Sequence, residues 1–426
     1  MRELQGREVL LCNFAGERSD FVRFNKGLVR QAGSVEQRSL SLRLVRGRRQ
    51  ASATIAIAGS DQDVALGKET LARLRDALAG LPEDPWLLIN ERPQSTSTER
   101  RGALAPAEAV VEQAIGAAQG RDLVGIHATG TIYRGFANSL GQKNWHEIDS
   151  FNFDWSLYRQ GDQAVKTAYA GFEWDQAAFI ARMHAAAEQL ALLEIPQRKI
   201  RPGEFRAYLT PRALDQIAGL LSWGGFSARA RATKQSPLLR METGQGLAPK
   251  VGLLENTAGG VAPGFQSDGF VKPPSVTLIA GGKLADALVS PRSAKEYGLA
   301  TNAANGQESP ESLELAAGSL ESKDVLPALD TGLYVSDLWY LNFSDRPAGR
   351  ITGMTRFATF WVEGGRIAAP VSPMRFDDSI YRMLGENLVD LTRERELLLD
   401  PSTYEARSTS SARLPGALLK SIKFTL

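Results

Sequence analysis

Residues 357–371 read FATFWVEGGRIAAPV, and this stretch is the strongest structural signal in the chain. Phe357, Thr359 and Trp361 stand at every second position, which is the period of a β-strand with one buried face. A Gly-Gly pair then interrupts the pattern before a second extended run, Ile367 to Val371. Two extended runs joined by a glycine turn predict a β-hairpin.

The chain before this hairpin is glycine-rich and strand-like as far back as Gly224. Thr210 and Pro211 come earlier, and they suit the N-cap and the first position of a helix. One stretch, Ala303 to Asp324, is poor in aromatic residues and rich in Ser, Glu, Asn and Gly, so we expect an exposed loop there. The sequence thus predicts a mainly β C-terminal domain.

The first two hundred residues or so have a different pattern. Period-2 alternation recurs early in the chain and predicts an antiparallel meander, with apolar positions at 22–24, 40–44 and 55–57. Helical spacing predicts helices over 60–80, 106–120 and 175–194, and further strands over 123–134 and 145–158. Together these patterns predict an α+β domain in which helices pack on an antiparallel sheet. A polar linker at 196–205 sets the predicted domains at 1–205 and 206–426.

The composition excludes several classes of protein. Lys and Arg number 50 and Asp and Glu 48, which leaves a net charge of +2, so no overall field favours nucleic acid or a membrane. The single cysteine, Cys12, rules out internal disulfides and suits a reducing compartment. The sequence contains no apolar run of membrane-spanning length, and from the polar residues that follow Met1 we expect no secretory leader. We expect a cytoplasmic protein with no membrane association.

The scarcity of histidine limits the chemistry that the chain can carry out. His146 and Glu147 begin a zinc-protease pattern, but Ser150 and Phe151 stand where the second histidine should be. We therefore read His146 as a partly exposed strand histidine beside a carboxylate. His127 could meet it on a neighbouring strand, and His184 is expected on a solvated helix flank. The sequence predicts no catalytic residue, no metal ligand and no cofactor of its own.

Three other features allow more than one interpretation. The aromatic residues at 145, 151, 153 and 155 predict a packed core, or else a groove that receives a peptide as an added strand. The arginines at 46, 48 and 49 fit a solvated hairpin tip better than a phosphate site. Asp149 and Asp154 could act as paired acids in a non-metal hydrolase, although strand carboxylates are usually surface residues.

Three segments in this order and at these separations resemble the TldD/PmbA family over nearly the whole chain: Arg134–Gly141, Gly332–Val335 and Trp361–Ile367. That family, once described as modulators of DNA gyrase, is associated with metal-dependent proteolysis. Its catalytic type carries a His-Glu-x-x-x-His motif on the first helix of the C-terminal domain and a late cysteine. The corresponding helix here, 215–224, has no histidine, and no cysteine follows residue 12.

The resemblance therefore implies a PmbA/TldE-type chain, the non-catalytic subunit of a heteromeric zinc metallopeptidase that acts on unfolded or extended peptides. Its partner would be a zinc-bearing TldD-type homologue. Asn138, Ser139, Trp145 and His146 are the predicted substrate-binding residues. The alternatives are a stand-alone homodimer that binds peptides without hydrolysing them and, ranked last because of the near-neutral charge, a nucleic-acid-associated regulator.

Overall fold

The structure is a computed structural model, and it describes residues 3–425. Its first sheet has the strand order β3-β2-β1-β5-β6-β4, with β7 also paired to β6. All pairs are antiparallel except β4 with β6. The strands are β1 Glu8–Asn25, β2 Leu28–Arg46, β3 Arg49–Ala56, β4 Thr96–Arg100, β5 Asp122–Asn138, β6 Lys143–Gln160 and β7 Gln163–Gly171. The predicted early meander is confirmed.

Three helices pack on this sheet: α1 Asp61–Leu78, α2 Ala107–Ala118 and α3 Gln176–Leu192. Alternation along β6 turns Phe151, Phe153 and Trp155 to one face, where each is at most 1% exposed. Phe179 of α3 packs against that face, with its ring centroid 5.7 Å from that of Phe153 and 5.6 Å from that of Trp155. These aromatic residues therefore form core, as the simpler interpretation had it.

The second sheet contains the predicted hairpin. Its order is β11-β10-β9-β12-β18-β16-β14-β13-β8, and β15 and β17 pair with β14 and β18. The strands are β8 Gly203–Leu209, β9 Leu253–Glu255, β10 Val276–Ala280, β11 Lys283–Leu284, β12 Ser312–Leu315, β13 Gly332–Asp345, β14 Arg350–Glu363, β15 Arg366–Pro370, β16 Arg375–Ser379, β17 Leu388–Leu399 and β18 Ser411–Phe424. Gly364 and Gly365 turn β14 into β15 with φ of 55° and 73°, values that suit glycine.

The helices of this second part are short except for the first. They are α4 Pro211–Ser222, α5 Ala228–Ala232, α6 Leu239–Glu242, α7 Pro291–Tyr297 and α8 Val325–Leu329. Thr210 caps α4 by accepting a hydrogen bond from the Ala213 amide, and Pro211 occupies the first turn, as the sequence predicts. Leu214, Ile217 and Leu221 of α4 are buried against the sheet. Within residues 3–425, no helix is long and apolar enough to cross a membrane.

The prediction of an exposed loop over Ala303–Asp324 is wrong. The segment contains β12, which pairs in parallel with β18 and antiparallel with β9. Glu308 is fully buried, and its carboxylate accepts hydrogen bonds from Ser227 and Ser290. Polar composition misled the prediction because buried polar groups are allowed wherever they find hydrogen-bond partners.

The two sheets are in direct contact. Phe360 of β14 belongs to the same buried cluster as Phe153 and Phe179 of the first sheet and its helix. On another face, Arg407, from the loop between β17 and β18, donates to the carbonyl oxygens of Gly130 and Ser150 at 3.0 and 2.8 Å. This second contact is polar and buried, so both apolar packing and polar contacts join the first sheet to the C-terminal part.

Candidate functional site

A cleft of about 660 Å³ opens where the two sheets meet. Residues of β1, β2, β5, β6 and β7 form one side, and residues of α4, β13 and β14 form the other. We call it the inter-sheet cleft. Its volume lies in the range of ordinary ligand pockets, and α4 is the helix on which the resemblance places the metal motif of catalytic relatives.

A buried ion network lies at the base of the cleft. Arg212 of α4 donates from Nη1 to Asp154 Oδ2 and from Nε to Asp337 Oδ2, both at 2.9 Å. Lys166 Nζ lies 2.7 Å from the other oxygen of Asp154. Asp154 is on β6 and Asp337 on β13, so one guanidinium bridges the two sheets and α4. The network therefore fixes the shape of the cleft.

Burial and neighbouring charge shift the pKa values here in definite directions. Burial raises the pKa of Asp337 above its usual 3.8, although Arg212 opposes the shift. The two aspartates raise the pKa of Arg212 despite its burial, so it stays charged. Asp215, one residue beyond the first turn of α4, has its pKa raised to about 6, mainly by burial and also by Asp337 and Asp400.

The strands that border the cleft are distorted where they face it. Phe357 of β14 and Tyr340 of β13 have φ of 58° and 59°, a left-handed conformation that bulky residues rarely adopt. Each lies at a register shift between β13 and β14. Trp339 and Arg356 flank these positions, with the Arg356 guanidinium carbon 4.1 Å from the centroid of the indole ring. Strain of this kind accumulates at functional sites.

The residues that could bind zinc lie apart from one another. His127 is buried among Phe151, Phe153 and Trp174, and burial lowers its pKa to about 3. His184 is exposed on α3, and Cys12 is half-buried on β1. Among residues 3–425, no three side chains of His, Cys, Asp or Glu are grouped to hold a metal ion. The chain's own ligands do not fit the zinc site of the family's catalytic type.

Two expectations about the histidines are wrong. His146 is only 5% exposed, and its Nε2 lies 3.2 Å from the carbonyl oxygen of Val261 rather than beside a carboxylate. It also does not meet His127, because β5 and β6 pair His146 with Arg134 and His127 with Phe153. The local alternation of residues predicts the strand that contains His146, but it does not predict that the segment around Val261 covers this histidine.

The predicted substrate-binding residues are close in the chain but have different surroundings. Asn138 ends β5, and Ser139 begins the turn to β6. Asn138 Oδ1 accepts hydrogen bonds from the amides of Leu140 and Gln142, and Ser139 Oγ accepts one from the Leu10 amide. Trp145 faces an apolar groove of about 620 Å³, stacked on Phe14 at 5.7 Å between ring centroids. None of the four borders the inter-sheet cleft.

The structure also places the other candidates. Asp149 accepts from Thr131 and from the Gly102 amide, whereas Asp154 belongs to the cleft network, so the two carboxylates act in separate environments. Arg46 and Arg49 are paired directly across the β2–β3 turn, which confirms the predicted hairpin tip.

Sequence reasoning missed the role of Arg212. A cation in the first turn of a helix opposes the helix dipole, and the residue follows the N-cap of α4 by two positions. This unfavourable position indicates that acidic groups elsewhere in the fold pair with Arg212, but it does not identify them.

These features define a class: a two-sheet α+β protein with an ion-paired cleft and without a metal centre made from its own residues among those described. The family model "PmbA/TldA metallopeptidase C-terminal domain" matches residues 202–426. The chain belongs to the TldD/PmbA family. No curated protein matches it in sequence.

Solved structures share the fold over nearly their whole length. A protein from Thermotoga maritima MSB8, proposed as a modulator of a DNA gyrase, has a TM-score of 0.78 at 14% identity, covering 98% of this chain and 96% of that one. TldE from Thermococcus kodakarensis has a TM-score of 0.77 at 15% identity, covering 99% and 97%. A second protein proposed as a modulator of DNA gyrase, from Bacteroides thetaiotaomicron VPI-5482, has a TM-score of 0.75 at 15% identity, covering 98% of this chain and 94% of that one.

Proposed function

We propose that this chain is the metal-free, PmbA/TldE-type subunit of a heteromeric zinc metallopeptidase, and that it helps to hold an unfolded or extended peptide for cleavage by a zinc-bearing TldD-type partner. The observation that carries the proposal is the set of residues that α4 presents, which includes no zinc ligand of the catalytic type. The first helix of the metallopeptidase-family domain directs Arg212 and Gln216 toward the cleft and contains no histidine.

The cleft itself supports a binding role. It is bounded by strands from both sheets, and its base is fixed by charges that neutralise one another, so the walls are organised before a ligand arrives. An extended peptide can lie along such strands and use its backbone groups for affinity. Hydrolysis would then require only that a partner bring zinc and its activated water to the bound chain.

The decisive experiment combines purification with a cleavage assay. The chain is co-expressed with a TldD-type homologue, with the affinity tag on one of them only, and zinc content and hydrolysis of an unfolded peptide are measured. We expect a stable complex that contains zinc, cleaves the peptide and loses activity with a chelator. The matched controls are each chain alone.

Two results would contradict the proposal. Chelator-sensitive cleavage by this chain alone, with stoichiometric zinc, would make it a catalytic subunit. A stable homodimer that ignores the homologue and binds peptide without cleaving it would instead support the stand-alone binding protein.

A further inference from the structure

The inter-sheet cleft has more positive than negative charge on its walls. Its ionisable lining consists of five cations and two carboxylates, apart from one tyrosine. Lys166 and Arg212 are paired with Asp154 and Asp337. The cations that are left are Arg23, Arg30 and Arg356.

Within residues 3–425, none of these three guanidinium groups forms an ion pair with a carboxylate. Arg23 and Arg30 are exposed residues at the adjoining ends of β1 and β2, and Arg356 projects from β14 on the opposite wall. The unpaired charge therefore comes from both sheets. A ligand that enters between the sheets meets guanidinium groups on two sides.

Arg356 has an acidic neighbour on the adjacent strand but forms no ion pair with it. Its register partner across the strands is Asp337, the carboxylate that Arg212 already binds. Arg356 lies instead over Trp339, and its guanidinium carbon is also 4.8 Å from the Phe357 ring centroid. Aromatic stacking holds the guanidinium plane while leaving its N–H groups available. The left-handed Phe357 directly follows it.

We propose that Arg23, Arg30 and Arg356 form a carboxylate-recognition site that selects acidic segments of an extended peptide. The proposal rests on the proposed function and adds a substrate class to it. Arginine suits this role because its planar donors bind a carboxylate in a bidentate manner. The carboxylate can belong to a Glu or Asp side chain or to a free C-terminus.

A nucleic acid is a weaker fit to the same charges. Trp339 is the tryptophan that lines the cleft, and one face of its ring is already covered by Arg356. Binding of single strands without sequence preference relies on aromatic faces that are open to bases. The peptide is therefore the ligand that the geometry favours.

The test uses fluorescence anisotropy with this chain alone. The probes are unstructured labelled peptides that differ only in Glu against Gln, each with a free or an amidated C-terminus. We expect the Glu peptide to bind about tenfold more tightly than the Gln peptide, as one charge-assisted contact provides. A difference between free and amidated forms instead identifies the terminal carboxylate as the ligand. Rising salt should reduce the preference.

Variants assign the effect to the cleft. Arg356→Gln should bring the ratio below about threefold, and the double variant Arg23→Gln/Arg30→Gln should lower it independently. Arg48→Gln is the matched control, because Arg48 is an exposed arginine in the β2–β3 turn and does not line the cleft. All three variants remove charges without a carboxylate partner, and circular dichroism checks that they fold.

Four results would overturn the proposal. Two concern the peptides: no detectable peptide binding, or equal affinity for Glu and Gln peptides with either terminus. The other two are an unchanged ratio in both cleft variants and tighter binding of a single-stranded oligonucleotide than of the acidic peptide. Because neither a partner nor cleavage is involved, each failure leaves the co-purification result for the metallopeptidase subunit to be judged separately.

Discussion

Replacing Arg212 by Gln should destabilise the protein far more than the loss of an ordinary ion pair. Asp154 keeps Lys166 at 2.7 Å, but Asp337, whose side chain is 6% exposed, loses its only ion-pair partner among the described residues. A buried charge left without its partner typically costs about 3–5 kcal/mol. We expect about 3 kcal/mol, near the lower end, because Lys166 still contributes to the field at Asp337.

The pH dependence of this loss follows from the direction of the Asp337 pKa shift. Burial raises the pKa of folded Asp337 above the 3.8 of the unfolded chain, and removing Arg212 raises it further. The folded state then binds a proton more readily, so the destabilisation is full above the raised pKa and shrinks as pH falls toward 3.8. The double variant Arg212→Gln/Asp337→Asn should recover about 2 kcal/mol at neutral pH.

The assay is urea unfolding across pH for the wild type, both single variants and the double variant. The matched control is Arg393→Gln, which removes a more exposed pair with Glu321 at 2.9 Å and should cost less than about 1 kcal/mol. If Arg212→Gln costs no more than the control, or if Asp337→Asn restores nothing, the network does not hold the sheets as argued.

Three further predictions concern other parts of the fold. Burial raises the pKa of folded Glu255 to about 7, so the wild type should lose stability as pH rises from 4.5 to about 7. Glu255→Gln should remove this pH-dependent loss, which urea unfolding at several pH values measures. Gly130→Ala should cost more than about 2 kcal/mol, since φ is 132° and a Cβ would lie 2.2 Å from the Arg18 carbonyl oxygen; thermal unfolding checks it. Arg407→Gln should cost about 3 kcal/mol and open the β17–β18 loop to protease, because the guanidinium is buried and bonded to Ser150 and Gly130; an uncleaved loop would contradict it.

Elements with a local repeat were predictable from the sequence. Leu40, Leu42 and Leu44 alternate because one face of β2 packs on α1, and that periodicity is visible without knowing what covers it. The same holds for the hairpin at 357–371 and for α3. The fold class could therefore be predicted, and the solved structures of the same fold agree with it.

The cleft could not be predicted because it depends on contacts distant in sequence. Arg212 lies 58 residues from Asp154 and 125 from Asp337, and nothing in the local pattern of any one of them points to the others. The sequence suggests a pair with the nearby Asp149, whereas the partners of Asp154 in the structure are Arg212 and Lys166. The four-residue strand β12 was missed for the same reason, since its pairing with β18 is a long-range contact.

The shape of the cleft should not depend on metal. The first turn of α4 is held between the sheets by Asp154 and Asp337, and the inner face of the helix by Leu214, Ile217 and Leu221. A catalytic relative could use metal ligation to order its cleft, whereas here ion pairs and packing do so. A chelator should therefore abolish cleavage by the proposed complex and leave the affinity of this chain for the acidic peptide unchanged, as anisotropy with and without chelator would measure. A fall in that affinity would mean that a bound metal orders the cleft, and it would contradict the claim that ion pairs and packing alone hold α4 in place.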